Sequence, residues 1–291
     1  MPIQQTRRGA LTLVAASLVL LASSAFTAQA ETTLERIKQT GAVRIGFANE
    51  APFGYATAEG SLTGEAPEIA KIILAQMGIT EVDAVLMPFR SLIPGLQAGR
   101  VDIVAAGMFV TPQRCGQVAF SEPTFSVGQS MIVAKGNPKN IHSYSDFLKD
   151  ESLRLGVVGG GQAHKYAQAV GIANDQISVY PDGPSGRAAI EADRIDAWAM
   201  TSLAVQRLLD SAGDGSVERA LPFEDPIIEG KAARGHGAFA FRQADADFRD
   251  EFNQRLKAFI GTAEHKKLVR QFGFTDAEAP VKATRELCAA K

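Results

Sequence analysis

Apolar positions along this chain switch between two periods. Residues 43–47 alternate as a strand after a short helix that ends at Gly41, and residues 67–77 repeat apolar side chains at helical spacing before Gly78. Residues 82–86 read as a second strand, 92–98 as a helix stopped by Gly99, and 101–106 as a third, more uniformly apolar strand. Strands that alternate with helices in this way predict an α/β lobe around a mostly parallel sheet.

Residues 126–135 read as one long strand running into Gly136-Asn137-Pro138, a composition that breaks regular structure and marks a crossover. Beyond it the pattern restarts. Strand 153–158, a glycine-rich turn, helix 162–170, strand 177–180, a helix and strand 195–200 predict a second α/β lobe. Strand 237–241, an amphipathic helix through Phe248, Phe252, Leu256 and Phe259, and a last helix ending at Gly273 read as a return to the first lobe. The expected division is 31–135 with 237–291 as lobe 1 and 136–236 as lobe 2, with a loosely ordered tail after about Glu278.

A short internal echo supports the division. The segments 96–107 and 190–201 share Ala98, Arg100, Asp102 and Ala105 with Ala192, Arg194, Asp196 and Ala199 at equal offsets. The alignment makes Gly107 and Thr201 equivalent strand ends. Ligands of open α/β sheets gather outside the carboxyl ends of strands, so both positions are expected to face one crevice.

The N-terminus changes the compartment. Arg7 and Arg8 precede an apolar run from Ala10 to Phe26 and the small-x-small sequence Ala28-Gln29-Ala30, the pattern of a cleaved signal peptide over 1–30. Thr6-Arg7-Arg8-Gly9-Ala10-Leu11 matches a twin-arginine signal only in part. The run is too short to span a bilayer, none comparable follows, and no cysteine stands at the cleavage point for a lipid anchor. A soluble periplasmic product beginning near Glu31 is expected. Removing the leader leaves 28 basic against 32 acidic side chains with no basic run, which argues against nucleic acid as a partner. Cys115 and Cys288 could pair in an oxidising compartment, though their spacing says nothing of distance. His142, His164, His236 and His265 are scattered in no metal-ligand spacing, and neither a metal nor another cofactor is expected.

The segment from Gly107 to Arg114 carries candidate chemistry. Thr111 is a good N-cap and Pro112 suits the first helical position, so free backbone N–H groups there could meet an anion. Arg114 adds a planar fork of donors matched to two carboxylate oxygens. The same residues would also make an ordinary capped helix with a solvated arginine. Gly159-Gly160-Gly161 likewise fits either a donor loop or a tight turn.

Three stretches together resemble the polar amino-acid class of periplasmic solute-binding proteins that feed ABC importers. They are Leu34-Glu35-Arg36-Ile37 through Val43-Arg44-Ile45-Gly46 to Ala51-Pro52-Phe53, the block from Leu92 to Asp102, and Thr111-Pro112-Gln113-Arg114 with Phe120-Ser121-Glu122-Pro123. The resemblance implies two α/β lobes, joined by two crossover strands, that close on a small solute. It implies further that Arg114 holds a carboxylate, that Gly107 and Thr111 assist, and that Gly160, Gly161 and Gln162 present donors from the second lobe. A membrane permease is the implied partner, met by a monomer.

The chain departs from that class at Thr201, where relatives that bind α-amino acids usually carry an aspartate for the α-ammonium. Threonine offers no countercharge, so a compact primary ammonium is poorly matched there. Phe53, Phe89 and Phe109 fall at positions the resemblance places around the ligand, and Glu50 stands just before the first of them. Aromatic faces suit a delocalised cation, each contact contributing about 0.5–2 kcal/mol, although any one phenylalanine, Phe89 above all, could equally be core. The set is similar to that of ectoine and hydroxyectoine binding proteins and implies a small zwitterion with a ring-borne amidinium. A polar or basic amino acid is the alternative ligand. An enzyme on the same fold, a dehydratase, is the remote one, since Glu50 is the only acid placed in the crevice and a cation beside it would hold it ionised.

Overall fold

The computed structural model describes Met1 and residues 31–213, 215–228 and 230–289, so the expected signal peptide, Met1 apart, lies outside the described residues. Among the described residues no helix is long and apolar enough to cross a membrane. Helix Thr33–Thr40 opens with a capping box between Thr32 and Glu35 and closes at Gly41 in the left-handed conformation. It leads into strand Ala42–Phe47, whose burial alternates over its first four residues and is complete over Ile45 to Phe47.

The first sheet has the order Glu81–Leu86, Ala42–Phe47, Ile103–Phe109, Gly235–Phe241, Ala119–Phe120, with Phe125–Val127 also on Gly235–Phe241. The second has the order Ile177–Tyr180, Leu155–Val158, Ala197–Thr201, Gln129–Ala134, Val217–Arg219. In each sheet a single strand, Gly235–Phe241 in the first and Gln129–Ala134 in the second, runs against all the others, so each is a mostly parallel, mixed sheet with one reversed strand. The cause is the crossing between lobes. A strand that enters a sheet directly from the other lobe, without a helix to turn it, arrives in the opposite direction.

That crossing lies earlier than the composition indicated. The expected strand 126–135 is two strands broken at Gly128: Phe125–Val127 pairs in the first sheet, and Gln129–Ala134 pairs with Ala197–Thr201 in the second. Gly136-Asn137-Pro138 is a turn inside the second lobe. Both strands are buried and both mix apolar with a few polar residues, so nothing in their hydropathy marks the change of sheet. The return crossing enters Gly235–Phe241, every residue of which is buried.

The echo between 96–107 and 190–201 has a physical counterpart. Asp102 accepts from the Arg44 backbone N–H at 3.0 Å and from its guanidinium at 3.1 and 2.8 Å. Asp196 accepts from the Arg154 backbone N–H at 2.7 Å and from its guanidinium at 3.2 and 3.2 Å. The same arginine–aspartate clamp thus ties Ala42–Phe47 to Ile103–Phe109 and Leu155–Val158 to Ala197–Thr201. Burial alone would raise the Asp102 carboxyl, but Arg44 and Arg36 hold it below the usual range.

The lobe cores differ in filling. Phe239, Phe241, Phe248 and Phe252 pack edge to face where helix Ala246–Phe259 lies on the first sheet. Tyr144, Phe147, Leu155 and Val157 fill one side of the second. The tail after Glu278 is docked rather than loose. Cys288, in helix Thr284–Ala289, is disulfide-bonded to Cys115, Thr284 donates to Ser121 and Glu122, and the Ala279 carbonyl accepts from Ser126 Oγ at 3.0 Å.

Candidate ligand-binding cleft

Each sheet holds a parallel trio ordered second, first, third in its own chain order, and the cleft opens at the carboxyl ends of Ala42–Phe47 and Ile103–Phe109 on one side and of Leu155–Val158 and Ala197–Thr201 on the other. After Ala42–Phe47 the chain folds into a tight turn in which Glu50 and Gly54 pair and the Phe53 N–H donates to the Glu50 carbonyl at 2.9 Å. That turn sets Glu50 and Phe53 side by side on the cleft wall. Phe53 stacks on Phe125 with centroids 4.9 Å apart and meets Phe274 edge-on, so its ring is held from behind. Gly107 has φ +62°, and a Cβ there would lie 2.7 Å from Phe53, so only glycine lets the strand end pass under the ring.

The third strand delivers Phe109, and the single helical turn Pro112–Cys115 delivers Arg114. Thr111 caps that turn by accepting the Arg114 N–H at 3.3 Å. The Arg114 guanidinium donates to the Phe109 carbonyl at 2.8 Å and, across the cleft, to the Gly160 carbonyl at 3.0 Å. Its Cζ lies 5.4 Å from the centroid of the half-buried Phe89 ring. Burial lowers its pKa to about 10, against the opposing pull of Tyr166 and Glu50, so it remains charged at neutral pH. Glu50 keeps some surface toward the cleft but its carboxyl is enclosed by protein. Burial pushes that carboxyl up to about 7, partly offset by Arg114.

The second lobe faces these groups with the turn after Leu155–Val158 and the end of Ala197–Thr201. Gly161 donates its N–H to the Val158 carbonyl at 3.1 Å and serves as N-cap of helix Gln162–Val170, whose first turn has no side-chain cap. Thr201 also has a structural task, since its Oγ1 accepts the Ala204 N–H at 3.3 Å at the start of helix Ser202–Ala212.

Glu50, Phe53, Phe89, Gly107, Phe109, Arg114, Gly161, Gln162 and Thr201 therefore line one cleft of about 490 Å³ that is partly open to solvent. Thr111 does not line it and works one step back, as a cap. Gln129, Val158, Ala163, Ala199 and Met200 complete the lining and were not singled out from the sequence. For Gln129 a signal existed: it is a polar residue opening the apolar run to Ala134. Its meaning depends on the strand belonging to the second sheet. Glu50 is the one acid, and Arg114 the one base, among the described residues that line the cleft.

Two α/β lobes of matching topology, linked by direct crossings and facing each other across a cleft with one buried arginine, define a two-lobed solute trap. The chain belongs to the bacterial extracellular solute-binding proteins, family 3, whose model matches residues 43–275. It is 38% identical to the probable amino-acid ABC transporter periplasmic-binding protein y4tE of Sinorhizobium fredii, over 96% of this chain and 93% of that one. It is 28% identical to the arginine-binding extracellular protein ArtP of Bacillus subtilis, over 77% and 83%. Among solved structures it is similar to EhuB in complex with hydroxyectoine, with a TM-score of 0.82, 36% identity, and coverage of 90% of this chain and 99% of that one.

Proposed function

We propose that this protein binds a small zwitterionic compatible solute of the ectoine and hydroxyectoine class in the periplasm and delivers it to the membrane permease of an ABC importer. The observation that carries the reading is the charge layout of the cleft. A buried guanidinium at Arg114 meets a carboxylate, whereas the cationic end of the ligand finds Phe53, Phe89 and Phe109 with Glu50 and no acid at Thr201. A flat amidinium ring spreads its charge over aromatic faces and offers an N–H edge to Glu50; an α-ammonium concentrates charge where Thr201 gives none. The likeness to EhuB, whose structure holds hydroxyectoine, supports the same reading.

Arg114 would take the carboxylate first, and closure of the second lobe would add the uncapped first turn of helix Gln162–Val170 and the Thr201 hydroxyl. The signal peptide, the monomeric state and the absence of catalysis belong to this proposal. Arginine is the competing ligand, on the strength of the likeness to ArtP. Titration calorimetry with ectoine, hydroxyectoine, glycine betaine, arginine, glutamine and histidine tests the assignment. Heat with the ectoines alone is expected; tight arginine binding without ectoine binding would overturn it.

A further inference from the structure

Gln129 lies at the start of the crossover strand Gln129–Ala134 and lines the cleft. It is 4% exposed, and neither its Oε1 nor its Nε2 has a hydrogen-bond partner among the described residues. Its backbone is fixed, because its N–H donates to Asp225 Oδ1 at 2.6 Å. The next residue, Ser130, faces away and accepts from Arg219 Nη1 at 3.1 Å, as strand alternation requires. A buried amide with both ends unpaired costs free energy, so it is retained where something outside the chain completes it.

Gln129 stands in register with Thr201 on the neighbouring strand. The Thr201 oxygen already accepts the Ala204 N–H, which leaves the hydroxyl proton to donate into the cleft. Together the two residues form an uncharged corner with donors and one acceptor. An ammonium group would leave Gln129 Nε2 unpaired, and a carboxylate would leave Oε1 unpaired. One hydroxyl group satisfies both, accepting from Nε2 and donating its proton to Oε1, with Thr201 free to donate to the same oxygen.

We propose that Gln129, seconded by Thr201, is the specificity-determining residue of the cleft and recognises a ring hydroxyl, so that the protein prefers the hydroxylated form of its cyclic amidinium zwitterion. This rests on the functional reading above and names the member of the ligand class that completes the site. A site built to hydrogen-bond a substrate hydroxyl discriminates against the analogue lacking it, because its own buried groups are then left unpaired.

The test is calorimetry of the wild type, Gln129→Leu and Gln129→Met with hydroxyectoine and with ectoine, alongside melting of each protein without solute. The wild type is expected to favour hydroxyectoine by about tenfold or more. Either variant should lose that preference, weakening for hydroxyectoine by about tenfold more than for ectoine, and should melt no lower than the wild type because an unpaired amide is gone. Equal wild-type affinities, or a preference that survives both substitutions, would overturn the role of Gln129 and leave the ectoine assignment standing. Equal loss for both solutes would reduce Gln129 to a structural part and overturn it too. A wild type that binds neither ectoine but does bind an amino acid would remove the functional reading itself.

Discussion

Arg114 carries a full charge into a place where little water reaches it, and two carbonyls hold its orientation. A guanidinium fixed in this way loses little freedom when a carboxylate arrives, and the pair forms where solvent screening is weak. Arg114→Ala is therefore expected to weaken solute binding by about 2 kcal/mol or more, roughly 30-fold, in a calorimetric titration. Unchanged affinity would return the residue to a packing role. Glu50 predicts a pH dependence. In the protein alone it titrates at about 7, and a bound cation would pull that value down. Affinity should then be full above pH 7 and fall as pH drops through 7, by up to about tenfold per unit, until the lower value of the complex is reached. Glu50→Gln should flatten this slope. A flat wild-type profile from pH 5.5 to 8 would show that Glu50 does not face the cation.

Among elements, the tail and the turn bearing Arg114 form one unit. Cys115 directly follows Arg114 and is bonded to Cys288, so helix Thr284–Ala289 is tied against the back of the cleft wall. The bond links positions 173 residues apart, which restricts the unfolded chain strongly. Replacing both cysteines by serine is expected to cost about 2–4 kcal/mol, and so to lower the melting temperature by roughly 5–15 °C in calorimetric scans. A change under 1 °C would mean that Thr284, through Ser121 and Glu122, secures the tail without help. The duplicated clamp of Arg44 on Asp102 and Arg154 on Asp196 works at the same level. Each joins the ends of two parallel strands that aim their opposite ends at the cleft.

For the molecule as a whole, the contact from Arg114 to the Gly160 carbonyl bridges the lobes. Gly160 has φ +76°, and a Cβ there would lie 3.0 Å from the Arg90 Cα, so the lobes approach this closely only over a glycine. Gly160→Ala is expected to disfavour the closed state. Solution scattering should show the wild type becoming more compact with saturating solute and the variant less so, with about fivefold or greater loss of affinity. Equal compaction in both proteins would place closure elsewhere.

The sequence determined what depends on neighbours along the chain. The helix start at Thr111, the helix end at Gly41, the alternation in 43–47, the aromatic stripe from Phe248 to Phe259 and the paired strand ends at Gly107 and Thr201 follow from capping, period and local repetition. Gly107 and Thr201 were readable for that reason, whereas Glu50, Phe53, Phe89, Phe109, Arg114, Gly161 and Gln162 were placed at the cleft by the resemblance to solute-binding proteins. Tertiary structure alone decided the rest. Gly128, not Gly136, divides the lobes, because strand partners are chosen at long range and both flanking strands are buried stretches of similar mixed composition. Cys115 meets Cys288 and the tail is ordered, because distance across the fold is not written in spacing. Gln129 reads as one polar residue in a buried strand until that strand is placed beside Thr201, where an unpaired amide becomes part of the site.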